Sequence, residues 1–236
     1  MNQREASDRK NPRWWDHQRQ PLRALRRSVV AMVDDTLRPA VGTTVVDLGC
    51  GDRPYEELFV ERGATYIGCD LDATAQVRIT PGERVPLEDE SADIVVSFQV
   101  LEHVADLDWY LGEARRLLKP SGAMLLSTHG AWLYHPHPTD FRRWTRAGLL
   151  LELVQRGFSV FQTDALMGPL AWTTQFRLLG IRHALLSLPV AGPLLLRPVA
   201  TLMNLRMVVE DAVTPRQIRE DNASMYVTLS RKAARS

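Results

Sequence analysis

"TTVVDLGCGDRP" (residues 43–54) begins as an apolar, β-branched run and ends in a turn that contains two glycines. The run over 43–48 predicts a buried strand. The stretch "PYEELFVERG" (54–63) predicts a short helix, with Pro54 in its first turn and Gly63 at its end. A strand that leads through a tight turn into a helix is typical of an α/β sheet, where ligands bind beyond the carboxyl ends of the strands.

Strand-like and helix-like segments alternate along most of the chain. Further strands are predicted at residues 64–70, 91–98 and 123–128, and further helices at 21–38, 107–122 and 145–158. Because these strands are apolar nearly throughout, they predict a parallel sheet with helices on both faces. Residues 223–232 alternate between polar and apolar side chains and predict one final strand.

Length and composition indicate an ordinary globular protein. A chain of 236 residues can bury one domain and an appended subdomain. The net charge of +1 creates no overall field that attracts nucleic acid, so no nucleic-acid partner is expected. Two cysteines form no disulfide framework and the polar first residues do not resemble a secretory signal, which favours a cytoplasmic location. No transmembrane segment is predicted, since the apolar run 184–196 is short and contains two prolines.

The glycine turn carries a carboxylate immediately before it. Gly49 and Gly51 allow a tight turn and a close approach of the backbone to a ligand, although a turn without a ligand also fits. A dinucleotide is disfavoured because Pro54 replaces the third glycine of the G-x-G-x-x-G pattern, and because Asp47 would repel a pyrophosphate. A carboxylate at this position suits a ligand with an ammonium group, such as S-adenosylmethionine.

A second carboxylate ends the next strand. Asp70 lies where an acidic residue accepts the two hydroxyls of a ribose, and Asp72 is an alternative for the same role. Both NAD and S-adenosylmethionine contain this ribose. Asp70 therefore indicates a nucleoside ligand without choosing between the two.

Four segments in the right order resemble the class I S-adenosylmethionine-dependent methyltransferases. They cover "VVDLGCG" (45–51), "YIGCDLD" (66–72), "VPLEDESADIVVSFQVLEHV" (85–104) and "RRLLKPSGAMLLST" (115–128). The resemblance implies a Rossmann-like, doubly wound sheet of seven strands, mostly parallel with an antiparallel last strand, and S-adenosylmethionine as the cofactor. It places Asp47, Gly49 and Gly51 at the methionyl end, Asp70 at the ribose and Gln99 on the floor of the site. Arg53 departs from the family pattern, since it stands where the third glycine usually lies.

The domain organisation follows from this assignment. Residues 1–20 are predicted to form a mobile or loosely packed arm, and 21–164 with 221–236 the cofactor-binding domain. Residues 165–220 are predicted to form an apolar helical insert before the last strand. The resemblance implies that this insert is a lid over the substrate. A plain helical hairpin, a homodimer contact and a peripheral contact with a membrane remain as alternatives.

"YHPHPTDFRRWT" (134–145) follows the fourth predicted strand, and it contains two histidines between prolines. His135, His137 and Asp140 would suit a metal ion, but the spacing indicates no fourth ligand, and no metal is predicted. The pattern H-x-x-P-x-D-F-x-R-x-T is similar to a segment of methyltransferases found with polysaccharide and glycolipid assembly enzymes. Asp140 and Arg143, three residues apart, are expected to form an ion pair.

Transfer of a methyl group to a hydroxyl oxygen requires a general base. His135 is the first candidate, His137 the second and His129 the third, while His103 is expected to be a packing or orienting group. The predicted function is O-methylation of a sugar, a glycolipid or a small natural product, with a small-molecule or lipid-linked glycan acceptor. A non-catalytic S-adenosylmethionine-binding protein is an alternative, and a nucleotide-dependent oxidoreductase is disfavoured by Asp47 and Pro54.

Overall fold

The computed structural model describes residues 10–136, 139–189 and 191–233, which contain one seven-stranded sheet. Its strand order is β3-β2-β1-β4-β5-β7-β6. Strands β1 to β5 pair in parallel, and β7 lies antiparallel between β5 and β6. The strands are β1 (Thr44–Leu48), β2 (Thr65–Asp70), β3 (Val77–Arg78), β4 (Ala92–Phe98), β5 (Leu118–His129), β6 (Phe158–Leu166) and β7 (Met225–Lys232). The predicted fold class is therefore confirmed.

Helices cover both faces of the sheet because successive side chains of the buried strands point to opposite sides. Val45 of β1 lies in a hydrophobic core to which four helices contribute side chains, and Val46 lies in a second core to which two further helices contribute. The first core includes residues of α1 (Arg19–Ala31, continued as a π turn to Leu37), α2 (Glu56–Val60), α5 (Pro169–Leu186) and α6 (Ala191–Val213). The second includes residues of α3 (Leu107–Leu117) and α4 (Arg146–Gln155). A short helix, α7 (Arg216–Asp221), precedes β7.

Three predicted helices are shorter than expected, and the one predicted over 54–63 comprises only Glu56–Val60. The helix predicted over 107–122 ends at Leu117, because Leu118 is extended and already pairs with Ala92 of β4. The helix predicted over 145–158 ends at Gln155, and Gly157, with φ of 78°, turns the chain into β6. Its beginning is as predicted: the hydroxyl of Thr145 accepts a hydrogen bond from the Gly148 amide (3.0 Å) and caps the helix.

The apolar segment after α4 begins in a strand and continues in helices. Residues 165 and 166 are the last two of β6, an edge strand that the apolar pattern does not predict. The remaining residues contain α5, α6 and α7, of which the first two form an extensively packed hairpin. No helix among the described residues is long and apolar enough to cross a bilayer.

The expectation of a loosely packed arm is wrong for residues 10–18. The side-chain amide of Asn204 donates to the carbonyl of Trp14 (2.9 Å), and that of Gln175 donates to the carbonyl of His17 (2.7 Å). Asn204 and Gln175 are fully buried polar side chains of α6 and α5. Because buried amides need partners, these hydrogen bonds hold the described part of the arm against the hairpin.

Candidate functional site

The turn after β1 adopts a conformation that only glycine accommodates easily. Gly49 has φ of 80°, and a Cβ atom there would lie 2.6 Å from a methyl carbon of Val100. The amides of Gly49 and Cys50 both donate to the carbonyl of Cys69 (2.8 and 3.0 Å), which ties the turn to β2. Arg53, at the family's third glycine position, also has positive φ (52°). It therefore retains the backbone shape of the missing glycine and adds a cationic side chain.

Asp70 lies at the carboxyl end of β2, beside this turn. Its carboxylate accepts a hydrogen bond from the Gly51 amide (2.8 Å) and a longer one from the Asp72 amide (3.3 Å). Asp72 instead accepts from the amide and the hydroxyl of Thr74, which stabilise its own loop. These contacts place Asp70 closer to the glycine turn than the alternative, Asp72, for which no contact with the turn appears in the part of the chain that the structure describes.

Asp47 is a buried carboxylate with one unused oxygen. Its side chain is 1% exposed, and its Oδ2 accepts a hydrogen bond from the hydroxyl of Tyr66. Its Oδ1 accepts no hydrogen bond from any described residue. Burial raises the pKa of Asp47 to about 7, although the Tyr66 hydroxyl acts in the opposite direction. A ligand with a positive charge at this position would stabilise the ionised form.

Gln99 follows β4 with a strained backbone, at φ of 57°. Its backbone amide donates to the carbonyl of Ser127 (2.9 Å), and its side-chain amide donates to the Ser127 hydroxyl (3.0 Å). The carbonyl oxygen of its side chain is buried and has no partner among the described residues. Gln99 thus offers a fixed acceptor at the carboxyl end of the central strands.

These observations fit S-adenosylmethionine. Its methionyl end carries an ammonium group, and Asp47 offers a buried carboxylate oxygen that accepts no hydrogen bond from the described residues. Its ribose carries two hydroxyls, and Asp70 offers a half-buried carboxylate at the neighbouring strand end. The close approach between Gly49 and Val100 leaves no room for a larger residue in the turn. Asp47, Gly49, Gly51, Asp70 and Gln99 are the residues that would hold the cofactor.

Three imidazole rings meet at the carboxyl ends of β4 and β5. The centroid of the His135 ring lies 5.0 Å from that of His103 and 5.4 Å from that of His129. His129 is the last residue of β5, and His103 ends a 3-10 turn after β4. His135, the first candidate base from the sequence, therefore lies in a cluster with the third candidate. His137 lies outside the described residues.

Glu102 anchors this cluster, a role that the sequence did not indicate. Glu102 is fully buried, and its carboxylate accepts hydrogen bonds from His129 Nδ1 (2.5 Å) and the Thr128 hydroxyl (2.8 Å). Burial is the largest single influence and opposes the charge of Glu102, but the hydrogen bond and charge of His129, a backbone hydrogen bond and the Thr128 hydroxyl together lower its pKa. The adjacent His103 faces elsewhere, with its Nδ1 2.6 Å from the Thr139 carbonyl oxygen, as expected for neighbours in a helical turn.

The pKa of His135 lies well below the ordinary value of an imidazole. Burial, the largest cause, and the nearby rings of His129 and His103 together lower it to about 4, which favours the neutral form near neutral pH. Its backbone amide donates to Asp140 (2.8 Å), which also forms the predicted ion pair with Arg143. Burial is the largest single influence and would raise the pKa of Asp140, but the Arg143 hydrogen bonds, the His135 amide and the nearby positive charges together lower it to about 2. Asp140 and Arg143 therefore shape the segment that presents His135.

Aromatic rings connect the histidine cluster to the hairpin. The ring of Trp132 lies 5.1 Å from that of His129 and 5.8 Å from that of Phe176. Phe176 in turn lies 5.2 Å from Trp172, whose indole N–H donates to the Asn222 carbonyl (3.0 Å). Helix α5 thus adds an apolar wall beside the histidines. Within residues 10–136, 139–189 and 191–233, no three His, Cys, Asp or Glu side chains are grouped to hold a metal ion.

Comparisons with known proteins agree with this arrangement. A family model described as a methyltransferase domain matches residues 15–178. A ubiquinone biosynthesis O-methyltransferase from Bartonella bacilliformis is 32% identical over 108 residues, which cover 39% of this chain and 44% of that protein. A "Probable S-adenosylmethionine-dependent methyltransferase" from Mycolicibacterium smegmatis is 33% identical over 139 residues, 52% of this chain and 54% of that protein. The chain spans about half the length of these curated relatives.

A solved structure extends the likeness of fold beyond the matched segments. The 1,6-didemethyltoxoflavin-N1-methyltransferase of Burkholderia thailandensis, with bound S-adenosylhomocysteine, superposes with a TM-score of 0.53 at 18% sequence identity. The superposition covers 89% of this chain and 79% of that one. At this identity the likeness concerns the fold alone.

Proposed function

The chain belongs to the methyltransferase domain family of class I, S-adenosylmethionine-dependent enzymes, and we propose that it methylates a hydroxyl oxygen of a sugar, a glycolipid or a small natural product. The choice of an oxygen acceptor rests on the buried Glu102–His129 pair, which lies beside His135 of the segment 134–145. Since a hydroxyl needs a base and an amine does not need one to the same degree, a carboxylate-oriented imidazole favours an oxygen acceptor.

On the cofactor side, the chain's residues bind and orient. Bound S-adenosylmethionine supplies a methyl group that its sulfonium has already activated. Asp47 would receive the ammonium group, Asp70 the ribose hydroxyls, and the Gln99 side-chain oxygen would complete the floor. These roles are supported by two buried oxygens, Asp47 Oδ1 and Gln99 Oε1, which have no hydrogen-bond partner among the described residues. The position of Asp70 at the end of β2 also supports them.

On the acceptor side, we propose that His129 removes the proton. The ionised carboxylate of Glu102 accepts a hydrogen bond from the Nδ1–H of His129, which keeps the proton on Nδ1 and leaves Nε2 with a lone pair that can accept the proton of the acceptor hydroxyl. His135 ranked first from the sequence, but with a pKa of about 4 it is a weak base near neutral pH. His135 would instead receive a hydrogen bond from the acceptor as a neutral imidazole. His137, the second candidate for the base from the sequence, lies outside the described residues and stays a prediction.

The acceptor itself is proposed from the surroundings of the histidines. Trp132, Phe176 and Trp172 form an apolar wall, which suits a ring or a lipid portion better than a highly charged molecule. The family resemblance of residues 134–145 to methyltransferases of glycan and glycolipid assembly points the same way. The name of the Bartonella bacilliformis relative, an O-methyltransferase of ubiquinone biosynthesis, supports an oxygen acceptor with an apolar portion.

The test measures methyl transfer from labelled S-adenosylmethionine to aqueous and lipid extracts of the native cell. We expect His129→Asn to lower kcat by about 10²–10⁴-fold and to leave S-adenosylhomocysteine affinity unchanged. His135→Ala should act mainly on the KM of the acceptor. His183→Ala is the matched control, since His183 is exposed and its Nδ1 faces the Leu179 carbonyl of its own helix.

Other results would select an alternative. Full turnover by His129→Asn, with loss of kcat in His135→Ala, would restore His135 as the base. Binding of the cofactor without transfer to any extract would favour the non-catalytic protein. Turnover that a chelator abolishes and one divalent ion restores would revive the two-histidine, one-carboxylate metal site.

A further inference from the structure

The outer side of α6 is apolar along the whole helix. Exposed side chains recur there at spacings of three, four and seven residues, while Ala200, Asn204 and Met207 face inward and are buried. Their exposures are 71% for Leu194, 48% for Leu195, 69% for Leu202, 48% for Leu205, 47% for Val208, 62% for Val209 and 63% for Val213. A surface helix normally exposes polar residues, so a contiguous apolar face of this length indicates a binding surface.

The charged side chains of the hairpin that precede Glu210 are all positive. Residues 165–209 contain four arginines and no aspartate or glutamate. Arg177 and Arg197 are exposed and Arg182 is half-buried. The two acids that follow in α6 are engaged: Glu210 pairs with Arg206 (2.6 Å), and Asp211 accepts from the Gly168 amide (2.8 Å). A partner of negative charge is therefore favoured, despite the small net charge of the chain.

Two tryptophans of the N-terminal segment extend the same surface. Trp14 and Trp15 are 42% and 43% exposed. The guanidinium of Arg197, an exposed residue of α6, lies 5.8 Å from the ring of Trp15. Tryptophan and arginine side by side are typical of the boundary between lipid tails and headgroups, where each side chain has an apolar body and a polar end.

We infer that the outer side of α6, with Arg177, Arg182, Arg197 and the two tryptophans, is a docking face for the surface of an anionic lipid bilayer. With 23 residues at about 1.5 Å each, α6 would lie flat along the bilayer for about 35 Å. No described helix can cross the bilayer, and this face needs only to enter its headgroup region. The inference does not depend on the proposed methyl transfer.

A second copy of the chain fits this face less well. In a two-fold symmetric dimer the same surface meets itself, so the arginines of both copies would approach one another. No acid between residues 165 and 209 is present to neutralise them. Anionic headgroups would supply the missing negative charge. The exposed leucines and valines would move from water into the boundary between the headgroups and the acyl chains.

One hairpin links the docking face to the candidate site. Helix α5 packs along α6 and carries Phe176, which lies against Trp132 beside His129. The docking face and the apolar wall therefore belong to the same pair of helices.

The experiment is vesicle flotation with the full chain. Vesicles contain phosphatidylcholine alone or phosphatidylcholine with phosphatidylglycerol. We expect about tenfold or stronger binding to the anionic vesicles, weakened by added salt. The double variant Leu202→Glu, Val209→Glu should lose on the order of tenfold or more in binding to anionic vesicles. Arg177→Gln with Arg182→Gln should lose the preference for anionic vesicles and keep the apolar face.

A matched control uses exposed apolar residues elsewhere. Leu151→Glu with Val154→Glu changes two side chains of α4 that are 55% and 58% exposed, and it should bind vesicles like the unchanged protein. Thermal unfolding checks that all variants fold. Absence of vesicle binding, or equal loss in the α4 variant, would overturn the inference. A dimer in solution that only Leu202→Glu, Val209→Glu disrupts, without vesicle binding, would assign the face to a second copy.

Discussion

Asp47 couples cofactor binding to pH because burial holds its pKa near 7. Between about pH 4 and pH 7 the folded protein keeps a proton on Asp47 that the unfolded chain releases. This carboxyl therefore stabilises the fold most at low pH, and its contribution is lost as the pH rises through about 7. An ammonium ligand needs the ionised form, which the same rise in pH supplies.

We predict that the affinity for S-adenosylmethionine rises between about pH 6 and pH 7 and levels off above it, where the α-amino group of the ligand begins to lose its own proton. Calorimetric titrations across this range measure the effect. Asp47→Asn should bind more weakly and show a flat profile over the same window. An equally steep profile in Asp47→Asn would assign the proton to another group.

Asp70 offers a second test on a single side chain. We expect Asp70→Ala to weaken S-adenosylhomocysteine binding by about 2 kcal/mol or more, because two ribose hydroxyls lose a charged acceptor. Calorimetry gives the affinity. Because the Gly51 amide also loses its acceptor, urea unfolding must be measured in parallel. Asp72→Ala is the control, and an unchanged dissociation constant in Asp70→Ala would remove Asp70 from the ribose site.

Within the hairpin of α5 and α6, two glycines should respond to alanine in opposite ways. A Cβ atom on Gly192 would lie 1.9 Å from the backbone oxygen of Leu185, whereas Gly180 has open space around that position. We expect Gly192→Ala to lower the free energy of unfolding by about 1–3 kcal/mol through overpacking. Gly180→Ala should raise it by about 0.5–1 kcal/mol, since alanine favours a helix interior. Urea unfolding of both variants decides; equal effects would mean that the two helices do not meet as closely as described.

At the scale of elements, the sequence pattern predicted those strands and helix ends that depend on residues close together in the chain. The buried runs at β1, β2 and β4 and the Thr145 cap are local signals, and the structure has them. The edge strand β6 was not predicted because its middle residues, Gln162, Thr163 and Asp164, are polar and interrupt the apolar pattern. The end of α3 was placed too late, because pairing of Leu118 with Ala92 overrides the expected stop at Pro120.

The candidate site shows the same division. The glycine turn, Asp47 and Asp70 belong to contiguous motifs, so their neighbourhood at the strand ends could be predicted. Glu102 follows β4 and His129 ends β5, and their side chains form a pair although they lie 27 positions apart in the chain. No spacing in the sequence predicts this pair. The burial of His135 and its cluster with two other imidazoles, which together lower the pKa of His135, likewise arise from tertiary contacts.

At the scale of the whole molecule, the fold is compatible with both NAD and S-adenosylmethionine. The turn after β1 distinguishes between these two ligands. We predict that the chain binds S-adenosylmethionine and its demethylated product and shows no binding of NAD, because buried Asp47 would face the pyrophosphate. Parallel calorimetric titrations with S-adenosylhomocysteine and NAD measure both. Tight binding of NAD with no heat from S-adenosylhomocysteine would reverse the assignment and restore the oxidoreductase.

The central position of β7 has a consequence for synthesis of the chain. Residues 225–232 leave the ribosome after every other strand, yet they fill the gap between β5 and β6. Until then β6 has no neighbour, and β5 exposes one row of unpaired amides and carbonyls. The nascent chain therefore carries an open, aggregation-prone edge while residues 130–224 are synthesised, and chaperones have their longest opportunity to bind it there.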